Sequence, residues 1–439
     1  MKTTREGAKK VCKNGLKCGS QEYSCLKPSK TPEIRAFPRA FLWGNSDIES
    51  MLGFEKMLTL RPGSQAHRLV TTLAITGEYP VCTLKLLGNE RVIKALVHRL
   101  TSIQEIRNPE TGERITTKLL QLSGRGSAKS VRFYKGALPI LEWIHPDACR
   151  YYMESFWGHR FPGDAAHRDR NLRVAEAMAM CAGSGIESCP YALPKLQNRE
   201  IRRTVPGTPV FYLARDIKKI SLAEQNKTMF ARMVGALFYP GGCYAVYNSR
   251  SAAMKWNGMG EFKALHNLIE VARMNASLQE LDSAVLFGES GETALQTLLE
   301  SEKSRRLELR FDGIYRHVHF IPMNADGMRR LRMLTLPDWN ERLMDLLFEP
   351  GSRSYNKGFM EYDACVDGVY IFSHLDGDLA RLIRFREAVN PQTGRFEVLC
   401  FPDQVPLLRE YLAPHVTLKT IDMDSVEAEL GAGSEELLE

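Results

Sequence analysis

The sequence predicts a multi-domain α/β protein, in which a small basic head ending in a two-stranded hairpin precedes a larger domain of alternating strands and helices on a mostly parallel sheet. Three observations predict it. Positive charge is crowded into one end: the first 135 residues hold 24 Lys and Arg against 11 Asp and Glu, a net +13, so the remaining 304 sum to −6. The segment 123–130, "SGRGSAKS", separates two alternating stretches, "ITTKLLQL" and "VRFYKG", as a hairpin tip does. From about residue 205 onward, short apolar runs alternate with amphipathic segments, the texture of an α/β domain. With 439 residues, 44% of them hydrophobic, the chain can bury a full core in two or three domains.

Residues 1–55 read as a basic arm. Cys12, Cys18 and Cys25 cluster there without the C-x-x-C pairing of a zinc knuckle, and the ten cysteines of the chain have no regular spacing. Reduced thiols, the lack of an apolar secretion signal and the lack of a run of about 18 apolar residues together predict a cytoplasmic protein that contacts no membrane.

The head is expected over 56–156. "SQAHRLVTTLAITG" places Ala66, Leu69 and Leu73 at helical spacing, with Gly77 to end the helix. "CTLKLLG" reads as a short second helix. "NERVIKALVHRLTSI" opens on Asn89 as N-cap and divides its faces: Val92, Ile93, Leu96, Leu100 and Ile103 on one, Arg91, Lys94, His98 and Ser102 on the other, with Arg99 at the border. The hairpin follows, and then "ALPILEWI" starts another apolar helix. From Arg114 to Leu141 there are six basic residues, Arg114, Lys118, Arg125, Lys129, Arg132 and Lys135, and no acidic one. Three helices followed by a hairpin resemble a winged helix-turn-helix. In that reading the helix 90–103 enters the major groove of double-stranded DNA through Arg91, Lys94, His98 and Arg99, while the basic hairpin neutralises phosphates.

A Gly-, Pro- and His-rich linker is expected at 157–171, an α/β domain at 172–423, and a loose acidic tail at 424–439. "NLRVAEAMAMCAGSGIE" carries a stripe of Leu172, Ala175, Met178 and Ala179. "PVFYLAR", "CYAVYN", "SAVLFG", "HVHFIPM", "GVYIFS", "FEVLCF" and "VTLKTI" read as strands. "LAEQNKTMFARMVGALF", "ETALQTLLESEK", "WNERLMDLLF" and "DLARLIRFREAV" read as helices.

Two metal-dependent readings follow from short motifs. Glu200, then a strand ending in Asp216, Ile217 and Lys218, resembles the core of the PD-(D/E)XK nucleases, a restriction-endonuclease-like fold; there Mg or Mn is held by acidic groups and a lysine positions the attacking water. This chain lacks the Pro-Asp pair, and Arg215 replaces an apolar residue before the acid. "RFDGIYRHVHFIPMN" sets His317 and His319 two apart on a strand, with Asp312 five residues before, which resembles the metal motif of relaxases; Tyr151 or Tyr152 would be the nucleophile. Arg310 and Arg316 stand where that family has histidine and proline.

The wider order, a winged helix, "HRDRNLRVAEAMAMCAGSGIE", "ARDIKK", "NKTMFARMVGALF" and "CYAVYN", resembles the replication-relaxation proteins of plasmids and integrative mobile elements over about residues 60–250. The resemblance implies a DNA-binding protein acting in replication, mobilisation or regulation. Relaxase or replication proteins of the same element would be partners, homodimers are compatible with it, and the α/β domain would be a scaffold with no cofactor. The competing classes are a metal-dependent nickase and a regulator that senses a ligand through its α/β half.

Overall fold

A computed structural model describes residues 63–435 apart from 109, 157–158, 160–164, 194–207, 219–231, 255–257, 277, 279–280, 305–309 and 355–360. The expected arm, its three cysteines and Glu200 lie outside the described residues. No described helix is long and apolar enough to cross a membrane.

The head begins with α1 (Gln65–Thr76), capped by the Ser64 side chain and closed by Gly77, whose φ of 80° a glycine adopts without strain. Next come β1 (Glu78–Pro80) and a 3-10 segment, Val81–Leu87, broken at Thr83, where a regular second helix was expected. In α2 (Glu90–Leu100) the Asn89 side chain accepts from the N–H groups of Arg91 and Val92. Its buried stripe is Ile93, Val97 and Leu100. Val92 (50% exposed) and Ile103 (74%) face solvent, because the helix ends at Leu100 and its inner face lies closer to Val97 than the expected stripe placed it.

Two hairpins follow rather than one. β2 (Gln104–Arg107) pairs with β3 (Arg114–Thr117), and β4 (Leu120–Ser123) with β5 (Ser130–Phe133). Strand β1 adds antiparallel to the other side of β5, giving a three-stranded sheet in the order β1-β5-β4. The helices α3 (Leu138–Ile144) and α4 (Pro146–Ser155) close the head.

Helix α5 (Ala165–Gly183) starts seven residues before the expected 172, so the second half of the expected linker is helical. The stripe of Leu172, Ala175, Met178 and Ala179 is buried as expected. Then come β6 (Val210–Leu213), the short α6 (Ala214–Lys218), β7 (Met233–Tyr239), β8 (Gly242–Arg250), α7 (Gly258–Ala276), β9 (Ser283–Gly288), α8 (Gly291–Glu302), α9 (Phe311–Ile314) and β10 (His317–Pro322). The helix expected through "MVGALF" is corrected to strand β7. It is a fully buried central strand, so its apolar run has no alternation to betray it, and the turn "YPGGC" returns it directly into β8. The sheet β10-β9-β8-β7-β6 is mixed: β8, β9 and β10 run parallel, while β7 runs antiparallel to both its neighbours.

A second sheet follows α10 (Ala325–Met333) and α11 (Trp339–Leu347). It contains β11 (Ala364–Val366), β12 (Val369–Ser373), β13 (Arg395–Cys400) and β14 (Val416–Thr420), with α12 (Leu379–Val389) and α13 (Val405–Tyr411) as crossovers. Strands β12, β13 and β14 are parallel and β11 is antiparallel at the edge. The α/β part therefore has two mixed sheets where one mostly parallel sheet was expected. The expected tail is also corrected: α14 (Met423–Glu435) buries Val426 and Leu430, four residues apart on one face, and Arg329 pairs with Asp424 and Glu427.

The head and the α/β part share packing. One continuous apolar cluster runs from Leu69 and Tyr79 through Met178 and Val246 to Val426. At the junction the buried Glu176 of α5 accepts from Thr83 Oγ1 (3.0 Å) in the head and from Asn248 Nδ2 (3.0 Å) of β8, and pairs with Arg250 Nε (3.1 Å).

Candidate functional site

Two groupings of chemistry-bearing residues emerge, one on the surface of the head and one buried between the sheets.

On the head, Arg91, Lys94, His98 and Arg99 are all exposed along α2, and Lys94 pairs with Glu90 one turn back. The tip between β4 and β5 exposes Arg125 and Lys129. Its chain reversal depends on Gly124: φ is 79°, and a Cβ there would lie 2.4 Å from the Ala128 carbonyl oxygen. Lys135 is exposed just beyond β5, and Lys118 lies over the Tyr134 ring at 4.4 Å. Two expected contacts are placed elsewhere. Arg114 belongs to the β2–β3 hairpin, bonded to Glu105 (3.0 Å). Arg132 turns inward to the buried Glu78 (3.7 Å), which also accepts from Ser130 (2.8 Å) and Arg168 (3.4 Å).

The nuclease residues do not assemble as expected. Asp216 and Lys218 lie in α6, not at a strand end, and Asp216 accepts the Tyr151 hydroxyl (2.8 Å). Arg215 stacks over the rings of Tyr151 and Phe156 and bonds the Ile75 carbonyl, so this short helix serves to dock the head. Burial pushes the Tyr151 hydroxyl well above its ordinary pKa, and Tyr152 is buried against His159. Neither tyrosine lines the cleft that holds the histidine pair.

That cleft, of about 600 Å³, opens between the amino ends of β9 and β10, helix α11 and the carboxyl end of β12. His317 and His319 both line it, as their spacing on a strand predicts, with rings parallel within 6° and centroids 6.2 Å apart. Asp312 is not with them: Arg310 holds it by two hydrogen bonds, at 3.0 and 2.7 Å. The carboxylates beside the histidines come instead from "DGD", Asp376-Gly377-Asp378, in the turn from β12 into α12. The turn docks on the outer edge of β10, where Phe320 N–H donates to the Gly377 carbonyl (2.9 Å). Gly377 has φ 67°, and a Cβ would stand 2.7 Å from the Phe320 carbonyl oxygen.

Asp378 caps α12, its Oδ1 accepting from the N–H groups of Val318 (3.0 Å), Ala380 (2.9 Å) and Arg381 (3.2 Å). Its Oδ2 lies 2.7 Å from His317 Nδ1. Burial alone would raise this carboxyl, but the bond and charge of His317, with His319 and Arg381, hold it well below the carboxylate range. Asp376 is raised, because burial outweighs His319 and Arg381. Its Oδ1 accepts from the Asp378 N–H (3.1 Å). His319 is buried edge-on to Tyr244 and Trp339, with Nδ1 3.2 Å from the Asp376 carbonyl oxygen.

Arg381 anchors the far wall. It donates to Glu361 (3.0 Å) and Asp363 (2.6 Å) over the face of Phe372, and these carboxylates outweigh its burial and keep it cationic. Sequence reasoning missed Asp376, Asp378, Glu361, Asp363 and Arg381. One signal was legible: "DGDL" at the carboxyl end of an apolar run and the start of a helix pattern, the place where open α/β sheets present ligand-binding groups.

Comparison with family models, curated proteins and solved structures yields no match. Every functional assignment therefore rests on the residues themselves.

Proposed function

We propose that the protein binds double-stranded DNA through its head, as a winged helix-turn-helix, in the replication, mobilisation or regulation of a mobile genetic element. The observation that carries this reading is the exposed basic row of α2, Arg91, Lys94, His98 and Arg99, followed in the chain by a glycine-built tip that offers Arg125 and Lys129 and no carboxylate. The element order supports it: α1, β1, the 3-10 segment and α2, then, after the separate β2–β3 hairpin, the β4–β5 hairpin whose second strand pairs with β1. Helix α2 is long enough to lie in a major groove, and the tip lets backbone and cations approach phosphate together. The α/β half serves as scaffold or partner surface. Its restriction-endonuclease-like reading loses support at Asp216, which is spent on Tyr151.

The test is duplex binding by fluorescence anisotropy across a salt series. The intact chain should bind with affinity log-linear in salt, and Arg125→Ala/Lys129→Ala should lower the slope by about two, one for each phosphate no longer neutralised. Arg132→Ala should leave the slope unchanged, since that side chain is tied to Glu78. No binding at about 50 mM salt, or a double variant indistinguishable from the intact chain, would refute the reading.

A further inference from the structure

The cleft between the two sheets carries an inference separate from the head. At its wall, one ring nitrogen of His319 and one carboxylate oxygen from each of Asp376 and Asp378 lie within 4.8 Å of one another; all three residues are buried, His319 and Asp376 lining the cleft and Asp378 standing behind them. Donors to a transition-metal ion sit about 2.1 Å from it and so lie within about 4 Å of one another, which small side-chain adjustments here would reach.

Three further observations point to a cation. Asp376 is 4% exposed and lines the cleft, yet its Oδ2 makes no hydrogen bond: His319 Nδ1 and Arg381 Nη1 are each 3.8 Å away. Two nitrogens at that distance hold the oxygen only loosely, and a metal ion would give it a closer partner. Among the described residues, five acidic side chains line the cleft against two arginines, a surplus of three negative charges. Finally, the ligands are braced from behind. Asp378 is fixed by three backbone N–H groups and His317, and the turn that carries both aspartates is bonded to β10. Such supporting bonds orient ligands at metal centres.

We propose that His319, Asp376 and Asp378 bind one divalent transition-metal ion. A single imidazole with two carboxylates suits Mn²⁺ or Zn²⁺ better than Ca²⁺ or Mg²⁺, which take oxygen ligands. Three protein ligands leave positions of the ion open toward the cleft, so water or a substrate oxygen can complete its shell. His317 is a positioning residue that holds Asp378.

The experiment uses the full chain and Mn²⁺ alone, because the ten cysteines of the sequence would draw Zn²⁺ to thiolates. Calorimetric titration, with free Mn²⁺ followed by electron paramagnetic resonance, should give one site per chain and a rise in melting temperature. His319→Gln and Asp376→Asn should each weaken binding about tenfold or more and abolish the thermal shift. Asp312→Asn, outside the cleft, should bind as the intact chain does. Circular dichroism of each variant separates lost folding from lost binding, and His317→Gln gives a second route, since it should weaken binding without removing a ligand. No Mn²⁺ binding at millimolar concentration, or binding undiminished in folded His319→Gln and Asp376→Asn, would overturn the proposal. Neither result bears on the salt slope of DNA binding.

Discussion

His374, between β12 and the DGD turn, is fully buried, and its Nδ1 has no hydrogen-bond partner. Burial, and then the nearby Arg330 charge, push its pKa down to about 3. The unfolded chain takes up this proton near pH 6.5, so between about 6.5 and about 3 the unfolded state holds more protons and stability falls as pH drops, by up to about 1.4 kcal/mol per unit. Urea unfolding at pH 7 and pH 5 should show this loss, and His374→Phe should show less of it; equal losses in both proteins would refute the assignment. Gly377→Ala should cost about 1–3 kcal/mol, because the added methyl meets the Phe320 carbonyl at a positive φ, and it should weaken Mn²⁺ binding as the turn shifts. Arg132→Ala removes a partner of the buried Glu78 and should cost about 1–2 kcal/mol in urea unfolding. At this scale the sequence showed which residues could ionise but not their partners. The six basic residues from Arg114 to Lys135 look alike in the chain; only the pairing of β5 with β1 turns Arg132 toward Glu78 while Arg125 and Lys129 stay in solvent.

Among elements, those with strong local signals were legible. Ser64 and Asn89 cap the helices they precede, the tip 124–129 joins the strands expected on either side of it, and seven of the apolar runs after 205 are strands. What failed was any element whose burial comes from distant chain. Strand β7 is covered on both faces, so its pattern carries no period. The spacing of Val426 and Leu430 is helical, but nothing local says that α11 waits to receive them. Leu430→Ala should therefore cost about 2–3 kcal/mol, read by urea unfolding, whereas a loose tail would show no change. The histidine pair was legible for the same reason as the strands, since a period of two puts both rings on one face. Its carboxylates stand some 60 residues further on in the chain, brought in by a turn that closes the open edge of β10.

At the scale of the molecule, charge is divided: the basic surface belongs to the head and the acidic cleft to the space between the sheets. A phosphate-bearing molecule would be drawn to the first and repelled by the second unless a cation sat there. The halves are nonetheless one packed body, since a single apolar cluster crosses from α1 to α14. Calorimetry should therefore record one unfolding transition, and two resolved transitions would show that the shared core does not couple them. The junction at Glu176 adds an implication for geometry. Because one side chain is clasped by Thr83 from the head and by Asn248 and Arg250 from the sheet, turning the head about α5 would break these bonds at a buried carboxylate. A duplex gripped by the head would meet the rest of the protein at one fixed azimuth and one fixed distance along its axis. The molecule would then act as a ruler with a direction, able to tell upstream from downstream of the sequence on which it sits.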